Sequence, residues 1–336
     1  MYRKIMGFLE VWKENEHRKP LILQGARQVG KTYSILEFGR THYENVAYFN
    51  FETNPKLNET FEENISPDYL IPILSHIAGQ TIVKEKTLIV FDEVQLCERA
   101  LTSLKYFCEN APDYHIIVAG SLLGVAVNRA KFSFPVGKVD MKTLYPMDME
   151  EFMLALGEDD LVEQIKKCFQ TDTPLPSALH DAAMQLYRQY LVVGGMPECV
   201  MQFAETKDYI LVRHTQDTIL ASYLNDMSKY NNLNEIKKTR LAYDNITVQL
   251  SKKNTRFQYK LIKKGGRASE FENAIEWLCL SGIVSQVYKV EQIKKPLENY
   301  RDIDAFKIYV SDLGLLCAKK DLAANDILYM VEEIND

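Results

Sequence analysis

Residues 21–32 read LILQGARQVGKT, a short apolar run followed by a glycine-containing loop, and they decide the fold of the N-terminal half. The last eight residues fit the pattern G-x-x-x-x-G-K-[ST], and the stretch YSILEFGR that follows has the apolar spacing of a helix. A loop of this kind between a strand and a helix wraps its backbone N–H groups around a phosphate, because the start of a helix favours an anion. The pattern therefore predicts a phosphate-binding loop that consists of Gly25, Ala26, Arg27, Gln28, Val29, Gly30, Lys31 and Thr32.

Two residues of this loop have predicted chemical roles. Lys31 supplies a positive charge to the β- and γ-phosphates, and the Thr32 hydroxyl is a predicted magnesium ligand. A second motif, TLIVFDE at residues 87–93, places two carboxylates at the end of an apolar strand, where parallel sheets bind their ligands. Asp92 is predicted to hold the magnesium ion, directly or through water. Glu93 is predicted to be the general base that polarises the attacking water, and a solvated acid at a strand end is the alternative.

A third strand-like run, HIIVAG at residues 115–120, brings Ser121 to the same edge of the sheet. Ser121 either senses the γ-phosphate and orients the water or is a simple turn serine, and both interpretations stay open. The sequence contains no Asn-Lys-x-Asp motif of the kind that reads guanine. ATP and Mg²⁺ are therefore the expected cofactors.

Alternating apolar runs and helical patterns predict an α/β P-loop NTPase core with a mostly parallel sheet in the first 150 residues. Its strands are predicted at Pro20–Gln24, Val46–Phe51, Thr87–Phe91, His115–Ala119 and Lys138–Leu144. From Met149 onward the pattern becomes helical, and two strand-like runs, 283–290 and 306–312, follow near the end. Gly194-Gly195 before a proline predicts a tight turn, and Asp312 predicts a helix cap.

Composition excludes several classes of protein. The 336 residues carry 40 Lys and Arg against 46 Asp and Glu, a formal net charge of −6, which argues against a dedicated nucleic-acid coat. No apolar run reaches the roughly 18 to 20 residues that span a bilayer, and Glu10 comes too early for a secretion signal. We therefore expect a cytoplasmic protein without membrane contact. The six cysteines form no CxxC pair, which favours reduced, mostly buried thiols, Cys97 included, over disulfides or a zinc site.

The sequence resembles a bacterial and archaeal group of AAA-superfamily ATPases whose phosphate-loop domain is followed by a domain of unknown function. The matching stretches cover nearly the whole chain; they are GARQVGKT (25–32), FDEVQ (91–95), AGSLLGVAV (119–127), SFPVGKVDMKTLYPMDMEEF (133–152), YLVVGGMPE (190–198), FQYKLIKKGGRASEFENAIEWLCLSGIV (257–284) and PLENYRDIDAFKIYVSDLGLL (296–316). The resemblance implies an AAA-type ATPase domain at 1–150, a helical lid-like segment at 151–228 and a winged-helix-like domain at 229–336. It also implies Ser121 as the sensor residue, by its position after the fourth strand.

Two features depart from this group. Many relatives carry Gly-Arg where this chain has Gly137-Lys138, so an arginine role is not expected there. Relatives also continue into a domain that resembles a restriction-type nuclease, whereas this chain stops at Asp336, so we expect a truncated or naturally short member. Arg99, Arg129 and Arg240 are equal candidates for an arginine finger, and the oligomeric state stays open.

One short segment is strongly basic within this acidic protein, because residues 226–270 carry eleven Lys and Arg against four Asp and Glu. Its pattern is helix, Gly265-Gly266 turn and helix, which can place charges against phosphates. The candidates for contacts with DNA or a partner protein are Lys252, Lys253, Lys263, Lys264 and Arg267. Glu270, Glu272 and Glu276 on the second helix oppose base reading. DNA-backbone binding, a protein surface and a merely solvated face therefore all stay open.

These observations together predict a Mg²⁺-dependent ATPase whose hydrolysis cycle moves a helical and winged-helix-like region. The first alternative is a nucleic-acid-binding module in which ATP acts only as a slow switch. The second alternative is a nucleotide-stabilised scaffold that recruits a partner protein.

Overall fold

The computed structural model of the chain describes residues 1–120, 135–229, 233–252 and 256–329. The chain divides into a first compact unit, Arg3–Tyr145, and a second unit, Pro146–Asp336 together with Met1–Tyr2. The three domains at 1–150, 151–228 and 229–336 stay a prediction. Within the described ranges, no helix is both long enough and apolar enough to cross a membrane.

The first unit is built on a five-stranded parallel sheet, which confirms the predicted α/β core. Its strands are β1 (Leu21–Gln24), β2 (Asn45–Asn50), β3 (Thr87–Asp92), β4 (His115–Gly120) and β5 (Asp140–Thr143). Their spatial order is β2-β3-β4-β1-β5, so β4 lies between the strand that precedes the phosphate loop and the strand that ends at Asp92. Because the strands are parallel, all their carboxyl ends lie along one edge of the sheet.

Among the described residues of this unit, five α-helices accompany the sheet: α1 (Ile5–Glu14), α2 (Lys31–His42), α3 (Lys56–Glu63), α4 (Pro67–Ala78) and α5 (Glu98–Asn110). Every residue of β3 and β4 is buried, as their uninterrupted apolar sequences require of strands covered on both faces. Aromatic rings fill part of the core, and the rings of Phe61 and Phe91 meet edge to face with centroids 5.5 Å apart. The tightly packed sheet gives the strand ends a rigid support.

The second unit is helical before its final pair of strands. Its helices are α6 (Met149–Ala155), α7 (Asp159–Gln170), α8 (Ser177–Val193), α9 (Pro197–Thr206), α10 (Tyr209–Lys229), α11 (Leu233–Leu250), α12 (Tyr259–Ile262), α13 (Ala268–Leu280), α14 (Leu313–Lys319) and α15 (Ala324–Leu328). The strands β6 (Val284–Val290) and β7 (Arg301–Val310) are antiparallel. The N–H of Phe257 donates to the carbonyl of Phe306 at 2.9 Å, so the chain before α12 lies along β7.

The last strand is longer than the sequence predicts, and the helix before the Gly265-Gly266 turn is shorter. We predicted a strand from Phe306, whereas β7 begins at Arg301 and pairs Asp302 with Lys289. The added residues are mostly polar, and their apolar Ile303 is exposed, out of phase with the buried Phe306 and Ile308, so they do not continue the alternation of the half-buried strand. Helix α12 has only four residues.

A buried carboxylate joins separate stretches of the second unit. Asp312 is 3% exposed; it accepts a hydrogen bond from the Gly195 N–H at 2.6 Å and, as the cap of α14, one from the Leu315 N–H at 2.8 Å. A Cβ on Gly195 would collide with the carbonyl oxygen of Met147, so the backbone approaches too closely for a side chain. Burial raises the pKa of Asp312 to about 6, against the effect of its backbone hydrogen bonds. The turn predicted at Gly194-Gly195 and the helix cap predicted at Asp312 are confirmed, and the hydrogen bond from Gly195 to Asp312 joins them.

Asp312→Ala is expected to lower the free energy of unfolding by about 2–4 kcal/mol, because two buried N–H groups lose their acceptor. Urea unfolding followed by circular dichroism measures this change. Asp217→Ala removes an exposed carboxylate from α10 and is the control, which should not lose stability because alanine favours a helix. A variant at position 312 as stable as the parent would show that this carboxylate does not hold the stretches together.

Candidate active site

The predicted phosphate loop lies between the end of β1 and the start of α2. Gly25, Gln28 and Gly30 have φ angles of 149°, 65° and 89°, which turn the backbone sharply. A Cβ on Gly25 would collide with the carbonyl oxygen of Leu144, so this position needs glycine. Helix α2 begins at Lys31, so the N–H groups of its first turn adjoin the loop. This backbone has the geometry of an anion site at a helix N-terminus.

The ammonium group of Lys31 lies within this loop. The residue is 7% exposed, and its Nζ donates to the carbonyl oxygens of Gly25 at 3.0 Å and Ala26 at 2.8 Å. A buried cation is stable only where hydrogen bonds replace water, and the loop carbonyls provide them. The charge is therefore held where we predict the phosphates. Of the other loop residues, Ala26 and Val29 are buried, and Arg27 and Gln28 are half-buried.

Asp92, at the end of β3, accepts hydrogen bonds from three directions. Its Oδ2 accepts from the Thr32 hydroxyl and from the Tyr48 hydroxyl, each at 2.8 Å. Its Oδ1 accepts from the Glu93 N–H at 3.0 Å. The residue is 4% exposed. Hydroxyl and carboxylate oxygens are the hard donors that Mg²⁺ prefers, so Thr32 and Asp92 fit the predicted magnesium site.

Glu93 follows Asp92 with a φ of 51° and is half-buried. Its carboxylate accepts a hydrogen bond from the side-chain amide of Gln95. Burial raises the pKa of Glu93 above its ordinary value; the Gln95 hydrogen bond lowers this pKa, and the charge of Asp92 raises it. A carboxylate whose pKa is raised in this way can accept a proton from water nearer neutral pH.

Three residues of this region were not predicted from the sequence: Tyr48, Gln95 and Arg3. Burial raises the pKa of Tyr48 to about 12, so its hydroxyl stays protonated and donates to Asp92. The side-chain amide of Gln95 donates a hydrogen bond to the Glu93 carboxylate. The Arg3 guanidinium donates to the loop carbonyl of Val29 at 2.9 Å. Tyr48 lies in the middle of the predicted strand Val46–Phe51, and its place in that strand was its only signal. Arg3 had no such signal, because it lies before α1, far from the loop in sequence.

Ser121 and Arg129 lie outside the described residues. Gly120, the residue before Ser121, pairs in register with Gln24 at the start of the loop. Arg99 donates to the carbonyl of Phe61 at 2.8 Å, and Arg240 donates to the Ser228 hydroxyl at 2.8 Å. Neither contact singles out an arginine finger.

The structure also describes Cys97 and Lys138, two further residues that the sequence analysis considered. Cys97 is buried, and burial raises the pKa of its thiol to about 11, which disfavours the reactive thiolate. Lys138 forms an ion pair with Glu109, with Nζ and Oε1 2.9 Å apart. Across the part of the chain that the structure describes, no group of three or more His, Cys, Asp or Glu side chains could hold a metal ion.

The basic segment lies in the second unit, and two of its lysines form ion pairs: Lys238 with Glu235 and the candidate Lys263 with Glu270. The Nζ of Lys263 lies 3.1 Å from Oε1 of Glu270. Lys252, Lys264 and Arg267 are exposed, and Lys253 lies outside the described residues. Glu272 and Glu276 are exposed on α13, which is the helix that would read bases in a helix-turn-helix.

The parallel sheet, the phosphate loop and the acidic end of β3 define the first unit as a P-loop NTPase core. Residues 17–153 match the family model of an AAA domain, and residues 184–326 match that of a domain of unknown function (DUF8612). The two matches give the order that the resemblance implies, an AAA domain followed by a C-terminal domain of unknown function. No curated protein matches the chain.

Solved structures are similar to the chain at low sequence identity. The Walker-type ATPase PABY2304 of Pyrococcus abyssi is 13% identical, with a TM-score of 0.57 and 95% of each chain covered. The ORC2 protein of Aeropyrum pernix, in ADPNP-ADP complexes, is 12% identical, with a TM-score of 0.46 over 97% of this chain and 94% of that one. The RuvB Holliday junction branch migration motor of Thermotoga maritima is 14% identical, with a TM-score of 0.35 over 84% and 87%. The first similarity shows the fold, and the other two carry no further argument.

Gly25→Ala is expected to weaken the binding of a fluorescent ADP analogue by at least about tenfold, which corresponds to 1.4 kcal/mol. The added Cβ would displace either the loop or Leu144, and a φ of 149° disfavours any side chain. Gly7→Ala in α1 is the matched control, because its Cβ meets no atom within 4 Å. It should leave binding unchanged and stabilise the helix by up to about 1 kcal/mol. Equal affinity for both variants would contradict the role of the loop.

Proposed function

We propose that the chain binds ATP with Mg²⁺ and hydrolyses it. The observation that carries this proposal is the 2.8 Å hydrogen bond from the Thr32 hydroxyl to Oδ2 of Asp92. It joins the phosphate loop to the acidic strand end, which lies 60 residues further along the sequence. The match to an AAA domain over residues 17–153 supports the same reaction class.

Each residue has a distinct role in the proposed reaction. The loop N–H groups and Lys31 bind the phosphates and hold the terminal one in place. Thr32 and Asp92 would hold Mg²⁺, which when bound neutralises charge on the phosphate oxygens. Glu93 accepts the proton of the attacking water at its carboxylate, and the Gln95 amide keeps that carboxylate oriented. Ser121 is the proposed sensor of the terminal phosphate.

We propose further that the hydrolysis cycle moves the second unit. The order α11, α12, α13, β6 and β7 supports a winged-helix-like domain at 229–336. The contact of Phe257 with Phe306 supports it too, because it adds a short extended segment beside β7. The same proposal includes a lid-like role for the helices of residues 151–228. In the sequence, these helices lie between the ATPase domain at 1–150 and the winged-helix-like domain.

Glu93→Gln is expected to bind a fluorescent ATP analogue within about twofold of the parent, while phosphate release falls by about 10²-fold or more. The amide keeps the size of the side chain and can no longer accept a proton. Lys31→Ala should instead lose binding itself, because the triphosphate loses its buried cationic partner. Equilibrium binding and phosphate release, measured on both variants, separate the two steps.

Glu59→Gln removes an exposed carboxylate from α3 and is the control, which should hydrolyse ATP like the parent. Parental turnover in Glu93→Gln would place the base elsewhere. A parent that binds ATP with negligible turnover would favour the slow switch or the scaffold over the ATPase.

A second candidate function is binding to the phosphate backbone of DNA through the basic segment. The observation that favours it is that Lys252, Lys264 and Arg267 are exposed and form no ion pair among the described residues. The exposed Glu272 and Glu276 on α13 argue for contact with phosphates rather than with base edges. Such contacts position a protein on DNA without reading its sequence.

Replacing Lys252, Lys264 and Arg267 by Gln should weaken duplex binding for all sequences alike and flatten its salt dependence. Each lost phosphate contact lowers the logarithmic salt slope by about 0.9. Fluorescence anisotropy with a labelled duplex over a range of salt concentrations measures this. Gln at three exposed lysines of the first unit (Lys56, Lys84 and Lys105) changes the net charge equally and is the control. No duplex affinity of the parent at low salt would reject DNA and favour a partner-protein surface.

A further inference from the structure

Arg3 is a buried arginine that bridges two backbone segments of the first unit. It is only 4% exposed, although it lies close to the N-terminus. One guanidinium nitrogen, Nη1, donates to the carbonyl oxygen of Val29 in the phosphate loop at 2.9 Å. The other, Nη2, donates to the carbonyl oxygen of Tyr145 at 2.8 Å. Tyr145 follows β5 and is the last residue before the chain passes into the second unit.

The beginning of the phosphate loop is tied to the same exit segment. The N–H of Leu144 donates to the carbonyl of Gln24 at 2.8 Å, and the Gln24 side-chain amide donates to the Thr143 hydroxyl at 3.0 Å. Gly25 packs so closely on Leu144 that a Cβ would collide with its carbonyl oxygen. Residues 143–145 therefore contact the loop at its start directly and near its far end through Arg3.

The chemistry of the guanidinium suits this bridging role. A buried cation is costly unless hydrogen bonds replace its hydration, and charge-assisted bonds to carbonyls are stronger than neutral ones. The planar guanidinium presents its donors in a fixed fork, so it can hold two carbonyls at a set separation. A lysine ammonium has no such fork and is a weaker bridge between the same two oxygens.

We propose that Arg3 is a positioning residue that fixes the phosphate loop for nucleotide and links its state to residues 143–145. The inference rests on the proposed nucleotide binding and adds the segment that responds to it. Nucleotide at the loop shifts Val29, Arg3 transmits that shift to the carbonyl of Tyr145, and the exit from β5 becomes more ordered.

The test compares Arg3→Met, Arg3→Lys and the parent, with Arg18→Met as the control. Arg18 is also an N-terminal arginine that donates to two backbone carbonyls, those of Asn15 and Pro112, but it contacts neither the loop nor residues 143–145. Binding of a fluorescent ADP analogue with Mg²⁺ gives the affinity. Hydrogen exchange of the peptide that covers residues 140–145, with and without ADP, reports the exit segment.

In the parent and in Arg18→Met, ADP should slow exchange of the 140–145 peptide. In Arg3→Met, affinity should fall about tenfold, and the effect of ADP on that peptide should shrink to what the direct contacts at the start of the loop transmit. Arg3→Lys should lie between the two. This smaller response at residues 140–145 is a change that a purely stabilising residue would not produce once ADP is saturating.

A folded Arg3→Met with parental affinity and a parental exchange response would overturn the inference. If Arg3→Met does not fold, Arg3→Lys decides the matter, because parental behaviour of that variant shows that the bridge is not needed. Failure of the proposed function looks different: neither the parent nor Arg18→Met would then bind the ADP analogue at all.

Discussion

The hydrogen bond from Thr32 to Asp92 forms because β1 and β3 are parallel strands of one sheet with only β4 between them. Two strand spacings amount to roughly 10 Å, a gap that the phosphate loop closes when it turns from β1 into α2. An antiparallel β3 would put Asp92 at the opposite edge of the sheet. The same order brings the end of β4 between the two motifs, where Gly120 pairs with Gln24. The candidate site therefore depends on strand order and direction as much as on the phosphate loop itself.

Much of this core could be predicted because β3 and β4 are buried on both faces and β1 is buried over three of its four residues. Such strands are mostly uninterrupted apolar runs. The predicted bounds of all five strands, including the partly exposed β2 and β5, agree with the structure within about two residues, within the usual uncertainty of element ends. The phosphate loop could also be predicted from the sequence, since its glycines are needed for backbone conformations that other residues avoid.

Tyr48, Gln95 and Arg3 could not be predicted in the same way. Tyrosine, glutamine and arginine are common on surfaces, and what marks these three is a hydrogen-bond partner that only the folded chain identifies. Arg3 and Val29, for example, are hydrogen-bonded although α1 and β1 lie between them in the sequence. Charge counting has a similar limit, because Lys263 belongs to the basic segment and yet is paired with Glu270 on the next helix. The start of β7 was missed because its apolar Ile303 is out of phase with the buried residues that follow.

The hydrogen bond from the Tyr48 hydroxyl fixes the orientation of the Asp92 carboxylate, which the sequence pattern alone does not predict. Oδ2 accepts hydrogen bonds from the hydroxyls of Thr32 and Tyr48, and Oδ1 accepts one from the Glu93 N–H. The carboxylate can therefore rotate very little, and its orientation is set when the protein folds rather than when a cation arrives. A ligand group fixed in advance loses little conformational entropy on binding. In the proposed reaction, such a group would receive the metal ion without a search among rotamers.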